Sequence, residues 1–151
     1  MARILVIDDE VAVRNTIRLI LEHRGHHVVV AEGGQRGVDA IEAYAFDAVI
    51  VDIFMPGMDG FQTIRILRES APKVAIIAIS GYSFRQASWP LPDFLKMACD
   101  LGATRCLRKP FKTGELIEVV EMCCGAPACG RDVARASEVF ALECSHSLSQ
   151  A

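Results

Sequence analysis

The stretch AVIVDIFMPGMDG at residues 48–60 decides how the rest of the chain is interpreted. Four apolar residues run directly into Asp52, and proline and glycine residues then turn the chain. A short apolar run that ends at turn residues is typical of a strand buried on both faces of a parallel sheet. Ligands of open α/β sheets bind at the carboxyl ends of the strands. Because a buried carboxylate needs a partner, Asp52 is the first candidate site residue.

The composition favours one globular domain. The chain has 151 residues, of which 52% are hydrophobic and 23% charged, and is too short for two ordinary domains. A net charge of −3 gives no reason to expect binding to nucleic acid or to an anionic membrane. No apolar run approaches the ~20 residues of a membrane span, and the N-terminus is unlike a secretory signal. We therefore expect a cytoplasmic protein whose six cysteines are mostly reduced.

Apolar runs and helical patterns alternate along the chain. The pattern predicts strands over 3–7, 27–31, 47–52, 74–79 and 104–108. It predicts a first helix from about residue 13 that stops at Gly25, and three further helices over 35–44, 61–69 and 93–101. A last helix is predicted to begin at a cap formed by Thr113. Residues 82–92 are predicted to form an irregular loop. This alternation indicates an α/β fold with a central five-stranded parallel sheet and helices on both faces.

Chemically active residues follow four of these strands: Asp8 and Asp9, Asp52, Ser80 and Lys109. Since parallel strands run the same way, we expect these side chains to meet at one edge of the sheet. Three carboxylates about 4 Å apart would repel one another by several kcal/mol per pair at an effective dielectric near 20. Lys109 or a hard divalent cation must offset that repulsion, and Mg²⁺ fits best because it accepts carboxylates while keeping sites open for phosphate oxygens.

Such a site suits phosphoryl transfer to a carboxylate. With its charge offset, Asp52 could attack a phosphoryl group and become an acyl phosphate. The metal and Lys109 would stabilise the equatorial oxygens of the transferring group, and Ser80 could donate a hydrogen bond to one of them.

This set of residues resembles the receiver domain of two-component response regulators. The matching residues are the acidic pair Asp8-Asp9, Asp52 within VDIFMPGMDG, Ser80 followed by Gly81, and Lys109-Pro110-Phe111. The resemblance covers residues 1–122 and implies a flavodoxin-like (βα)5 three-layer sandwich. Residues 123–151 are then expected to be a C-terminal tail, partly helical at most, without an output domain.

The resemblance also implies roles and partners. In a bacterial two-component phosphorelay, a sensor histidine kinase or phosphotransfer protein would pass its phosphoryl group to Asp52. Mg²⁺ would be held by Asp9, Asp52 and the backbone carbonyl of Phe54, with Asp8 assisting through water, and the Lys109-Pro110 bond would be cis. Such a domain is not an enzyme beyond its own phosphoryl acceptance and hydrolysis. It would signal through an unknown downstream protein or as a homodimer, without contacting nucleic acid or membrane.

Some features depart from the family pattern. Receivers usually carry Tyr or Phe three residues before the lysine as a rotamer switch, and Cys106 stands there instead. The interval between Ser80 and Lys109 is also longer than usual. We expect its aromatic loop at 82–92, with Tyr82, Phe84 and Trp89, to replace the switch or to form a partner surface. Phe54 is a bulky neighbour of Asp52 and suggests a long-lived phosphorylated state.

Other interpretations remain for the same residues. A receiver-like interaction module that does not depend on phosphorylation is the main alternative. The presence of Cys106 in place of the aromatic switch residue is consistent with this alternative. An aspartate-nucleophile phosphatase is less favoured, because Phe54 occupies the position of its second aspartate. Taken singly, the acidic pair could cap a helix, Ser80 could be a turn residue and Lys109 a structural partner. The spacing of Cys123, Cys124, Cys129, Cys144 and His146 does not match a paired zinc motif, so we interpret them as incidental.

Overall fold

The structure is a computed structural model of the chain and describes residues 1–81 and 93–125. In these residues five strands alternate with five helices. The strands are β1 (Arg3–Ile7), β2 (His27–Ala31), β3 (Ala48–Asp52), β4 (Ala75–Ser80) and β5 (Arg105–Arg108). The helices are α1 (Val11–His23), α2 (Gly34–Ala43), α3 (Gly60–Ser70), α4 (Phe94–Asp100) and α5 (Thr113–Cys124).

The strands form one parallel sheet in the order β2-β1-β3-β4-β5. The central strand β3 is buried along its whole length, which explains its unbroken apolar sequence. In the register of the sheet Asp52 lies beside Ile79, and Ser80 lies beside Arg108. The carboxyl ends of β3, β4 and β5 therefore come together at one edge, as the sequence predicts.

Two apolar cores lie on opposite faces of the sheet. Alternate strand residues point to each face, so that Ile4 and Val6 join one core while Leu5 and Ile7 join the other. Helices α1 and α5 cover the first core, and α3 and α4 contribute to the second. Helix against sheet against helix is the three-layer sandwich of the flavodoxin-like class, and the predicted fold class is confirmed.

The element boundaries differ slightly from those predicted. Strand β4 begins at Ala75 and includes Ser80 as its last residue. The prediction that Thr113 caps the last helix is wrong, because Thr113 is itself the first helical residue of α5. Lys112 holds the cap position in an extended conformation, and its backbone N–H donates to the Glu115 carboxylate at 2.7 Å. The side chain that accepts the capping hydrogen bond is therefore the Glu115 carboxylate, and not the Thr113 hydroxyl.

Some of the sequence-based predictions fall outside the described residues. These are the irregular loop at 82–92 with its aromatic side chains, and the part of the tail from residue 126 onward. Among the helices of the described ranges, none is both long and apolar enough to cross a membrane.

Candidate functional site

Asp52 ends the central strand and is 4% exposed. Its Oδ1 accepts a hydrogen bond from the backbone N–H of Phe54 at 3.3 Å. Helix α3 begins directly beneath it, where the N–H of Gly60 donates to the carbonyl of Ile53 at 2.8 Å. A Cβ at Gly60 would overlap the carbonyl oxygen of Asp52 and the Cα of Ile53, so this close approach requires glycine. The turn residues of the central stretch thus fix the position of Asp52.

The acidic pair follows β1 and differs in exposure. Asp8 is fully buried, whereas Asp9 is exposed. One carboxylate oxygen of Asp8 accepts from the N–H of Glu10 at 2.9 Å. The Arg14 guanidinium donates to the backbone carbonyls of Asp8 and Asp9, at 2.6 and 3.1 Å. Arg14 was not predicted from the sequence as a positioning residue, since a basic residue in the first turns of a helix is a weak signal.

Lys109 lies between the two buried carboxylates. Its Nζ donates to Oδ2 of Asp8 at 2.8 Å and to Oδ2 of Asp52 at 3.3 Å, and its side chain is only 15% exposed. The backbone N–H of Lys109 donates to the carbonyl of Ser80 at 2.8 Å, which joins the ends of β4 and β5. The Lys109-Pro110 bond is cis, as the resemblance implies.

The electrostatics of the site disfavour a charged Asp52. Burial raises the pKa of Asp52 to about 6 and the charge of Asp8 adds to that rise, although the charge and hydrogen bond of Lys109 oppose it. Burial alone would lower the pKa of Lys109, but its hydrogen bond to Asp8 and the two carboxylate charges outweigh it, so this pKa is raised. The lysine therefore stays charged, and a further cation would favour ionised Asp52.

Three carboxylates can share one cation here. Oxygens of Asp8, Asp9 and Asp52 lie within 4.8 Å of one another. These are hard oxygen donors of the type that Mg²⁺ prefers, and one of the three residues is exposed. The donor set thus fits Mg²⁺, and the predicted meeting of the acidic residues at this edge is found in the structure.

Ser80 and Phe54 complete the set of sequence-predicted residues. Ser80 is 4% exposed at the end of β4, next to the strand that carries Asp52. The Phe54 ring packs edge-on against Phe94 of α4, with ring centroids 5.0 Å apart. Its backbone therefore lies at Asp52 while its side chain contacts α4.

The family model of the response regulator receiver domain matches residues 4–121. This chain belongs to that family. The receiver is similar to the cell cycle response regulator CtrA of Brucella ovis, at 30% identity over 115 residues, 76% of this chain and 47% of the relative. An uncharacterized transcriptional regulatory protein of Bacillus subtilis, YkoG, is 29% identical over 114 residues, which again cover 76% of this chain and 47% of the relative. The chain spans about half the length of these curated relatives.

Solved structures agree with the family assignment. The receiver domain of NtrX from Brucella abortus superposes with a TM-score of 0.73 at 29% identity, covering 82% of this chain and 99% of that one. A receiver domain protein from Clostridium thermocellum gives a TM-score of 0.73 at 28% identity, with 83% of this chain and 95% of that one covered. The resemblance found in the sequence is confirmed, and the chain carries the receiver domain of a response regulator in two-component signalling.

Proposed function

We propose that Asp52 accepts a phosphoryl group from a histidine kinase or phosphotransfer protein and that the receiver then signals through protein partners. The observation that supports this most is the buried Asp52 carboxylate, which lies 3.3 Å from the Lys109 ammonium and within 4.8 Å of carboxylate oxygens of Asp8 and Asp9. A purely structural ion pair does not need three carboxylates within 4.8 Å of one another beside a lysine that contacts two of them. The proposed domain comprises residues 1–122, with residues 123–151 as a tail.

The transfer itself requires few groups. A carboxylate oxygen of Asp52 forms a bond to phosphorus while the bond from phosphorus to the donor nitrogen breaks, and the electron pair leaves with the donor. Lys109, whose raised pKa keeps it charged, stabilises the added negative charge. The Ser80 hydroxyl, at the adjacent strand end, donates a hydrogen bond to a phosphoryl oxygen. Hydrolysis of the acyl phosphate by water returns the receiver to its starting state.

The acidic residues would divide the binding of Mg²⁺ between them. Asp8 is fully buried and accepts the shorter of the two Lys109 hydrogen bonds, at 2.8 Å against 3.3 Å for Asp52, which supports an indirect role for Asp8 through water. Asp9, Asp52 and the Phe54 carbonyl are then the proposed direct ligands. Bound there, Mg²⁺ supplies the positive charge that offsets the carboxylates and the incoming phosphoryl group.

The energy available from the phosphoryl group is sufficient for a switch. Driving a two-state equilibrium from 1:99 to 99:1 requires about 5.5 kcal/mol of differential stabilisation. Charge-assisted hydrogen bonds contribute of order 1.5 to 3 kcal/mol each. New contacts of Lys109 and Ser80 with the phosphoryl oxygens, together with the metal, can therefore supply it.

Intact mass after incubation with acetyl phosphate tests the proposal. We expect one phosphoryl adduct on the wild-type chain with Mg²⁺, and none when the cation is chelated. Asp52→Asn should remove the adduct, whereas Asp39→Asn should retain it because Asp39 is an exposed residue of α2. A folded wild-type chain that acquires no adduct would contradict the proposal and favour the interaction module that does not depend on phosphorylation.

A further inference from the structure

Two thiols lie in contact outside the phosphoacceptor site. The Sγ atoms of Cys99, in α4, and Cys106, in β5, are 2.7 Å apart. A disulfide bond is ~2.05 Å long, so the two sulfurs need to approach by only about 0.7 Å to reach bonding distance. Cys99 is exposed to solvent, whereas Cys106 is half-buried. One thiol of the pair is therefore accessible to a reagent, and the other is held beside it.

The backbone between the two cysteines keeps them together. After α4 the chain turns at Gly102, whose φ is +119°, and the N–H of Ala103 donates to the Ala98 carbonyl at 2.9 Å. The chain thus returns along the helix it has just left and enters β5. The thiol of Cys106 also lies 3.3 Å from a backbone carbonyl of α4. The contact follows from a short, hydrogen-bonded connection within one supersecondary unit.

The two thiols differ in acidity. The hydrogen bond from Cys106 lowers the pKa of Cys99 to about 7, with Arg105 assisting and burial, Asp100 and Asp93 opposing. The same hydrogen bond, together with burial, raises the pKa of Cys106. Near neutral pH a substantial fraction of Cys99 is therefore the nucleophilic thiolate, and Cys106 is the protonated partner that can resolve its oxidation.

We propose that Cys99 and Cys106 form a reversible dithiol–disulfide site that reacts with hydroperoxides. The Cys99 thiolate attacks a peroxide oxygen, the O–O bond breaks, and a sulfenic acid forms as hydroxide or alkoxide leaves and takes up a proton. The Cys106 sulfur then attacks the Cys99 sulfur, the S–O bond breaks, and water leaves with the Cys106 proton. The peroxide gains two electrons and the two thiols lose two.

The disulfide would join α4 covalently to β5. The first residue of α4, Phe94, packs on Phe54 beside the phosphoacceptor, and β5 leads directly to Lys109. Oxidation would therefore join covalently two elements that each adjoin a residue of the site, α4 through Phe94 on Phe54 and β5 through Lys109. Formation of the bond needs no phosphoryl group, so this proposal stands or fails independently of the proposed function.

Cys123 and Cys124 provide an internal comparison. Both are half-buried in α5, and burial raises the pKa of each thiol. They are neighbours in sequence on one helix, where successive side chains do not face each other. We therefore expect slow alkylation and no disulfide between them.

The test uses the full, reduced chain treated with hydrogen peroxide, blocked with an alkylating agent and digested with trypsin without reductant. Cleavage after Lys96, Arg105 and Arg108 separates the cysteines into the peptides 97–105 and 106–108. We expect these two peptides to be recovered as one cross-linked species, lighter by two hydrogen atoms than their sum and separated by dithiothreitol. Before oxidation, Cys99 should be alkylated at pH 7 about fivefold or more faster than Cys123, after allowing for the lower nucleophilicity of a more acidic thiol.

Matched variants identify the pair. Cys99→Ser and Cys106→Ser should each abolish the cross-link, and circular dichroism should confirm that each variant is folded. Because Cys99 is exposed, Cys99→Ser carries the lower risk of unfolding the chain. The cross-link should persist when the other cysteines are replaced by serine, namely Cys123, Cys124, Cys129 and Cys144. Over-oxidation of Cys99 to a sulfinic acid, or a disulfide from Cys99 to any other cysteine or to a second chain, would overturn the proposal.

Discussion

Asp52 is a charged residue at the end of a strand that is otherwise apolar. Its position in the sheet gives it a fixed geometry beside Lys109 and Asp8, but the same burial raises its pKa to about 6. The charged form of Asp52 is therefore disfavoured in the folded state. The negative charge that phosphoryl transfer needs thus lowers the stability of the fold.

Replacing Asp52 should stabilise the fold. Because the folded-state pKa of Asp52 exceeds the ordinary value of 3.8, protonation favours folding, and this contribution is lost as pH rises through about 6. At pH 7, with divalent cations chelated, we expect Asp52→Asn to raise the free energy of unfolding by about 1–3 kcal/mol. The difference from wild type should shrink as pH falls below 6. Urea denaturation followed by circular dichroism measures it.

Asp39→Asn serves as the control and should stay within about 0.5 kcal/mol of wild type, since Asp39 is exposed. If Asp52→Asn were instead destabilising at pH 7, the hydrogen bond and charge of Lys109 would outweigh the burial of the carboxylate, and our description of the site electrostatics would be wrong.

Phe54 should lengthen the lifetime of the acyl phosphate. Its backbone N–H donates to Asp52 and its ring packs against Phe94. We expect this bulky neighbour of the phosphoacceptor to hinder an attacking water. We expect Phe54→Asn to hydrolyse the phosphoryl group severalfold faster than wild type, measured by the decay of the phosphorylated mass. Phe61→Leu is the control, because Phe61 also packs against Phe94 but lies within α3. Equal half-lives for Phe54→Asn and wild type would contradict this role.

At the scale of elements, the connection from β3 to α3 controls where the phosphoacceptor lies. The start of α3 approaches the backbone of Asp52 and Ile53 so closely that a Cβ at Gly60 would overlap both. A helix that begins this near a strand end holds the intervening loop, including Phe54, in one arrangement.

Gly60→Ala should therefore destabilise the chain. The added methyl group must displace backbone, so we expect a loss of about 1–3 kcal/mol in urea denaturation and slower phosphoryl acceptance from acetyl phosphate. The comparison is Gly114→Ala in the first turn of α5, where an added Cβ meets no heavy atom within 4 Å. That variant should be neutral or up to about 1 kcal/mol more stable. If the two variants behaved alike, the close approach at Gly60 would have no energetic consequence.

The element-level predictions from sequence succeed where one local rule decides the outcome. Unbroken apolar runs that end at Asp8 and Asp52 are sufficient to predict buried parallel strands and a shared edge. The role of Arg14 depends on which carbonyls its long side chain reaches. The contact of Cys99 with Cys106 depends on how the chain returns from α4 into β5. Neither is encoded in a periodic pattern, so both require the three-dimensional structure.

At the scale of the whole molecule, Arg68 of α3 links distant parts of one face. Its guanidinium donates to the carbonyl of Gly102 in the α4–β5 connection at 2.6 and 3.1 Å. It also donates to the carbonyls of Pro72 and Val74, before β4, at 2.8 and 2.9 Å. One side chain thus supplies hydrogen bonds to three backbone carbonyls from two separate connections.

Arg68→Met should cost about 2–4 kcal/mol of stability, because it keeps most of the apolar stem and leaves partly buried carbonyls without their donor. Arg65→Met, an exposed position on the same helix, should change stability by less than about 0.5 kcal/mol. Thermal and urea unfolding of the two variants provide the comparison. A loss at Arg68 no greater than that at Arg65 would show that these hydrogen bonds contribute nothing to the fold.

The most direct test of the central claim locates the phosphoryl group within the chain. After phosphorylation with acetyl phosphate and Mg²⁺, borohydride reduction converts an acyl phosphate to homoserine, and tryptic peptides are then sequenced by mass spectrometry. Cleavage after Arg3, Arg14, Arg36 and Arg65 places Asp8 and Asp9 in the peptide 4–14, and Asp52 in the peptide 37–65. We predict homoserine at position 52 alone. Homoserine at Asp8 or Asp9, or at no position in a folded and magnesium-loaded chain, would contradict Asp52 as the phosphoacceptor.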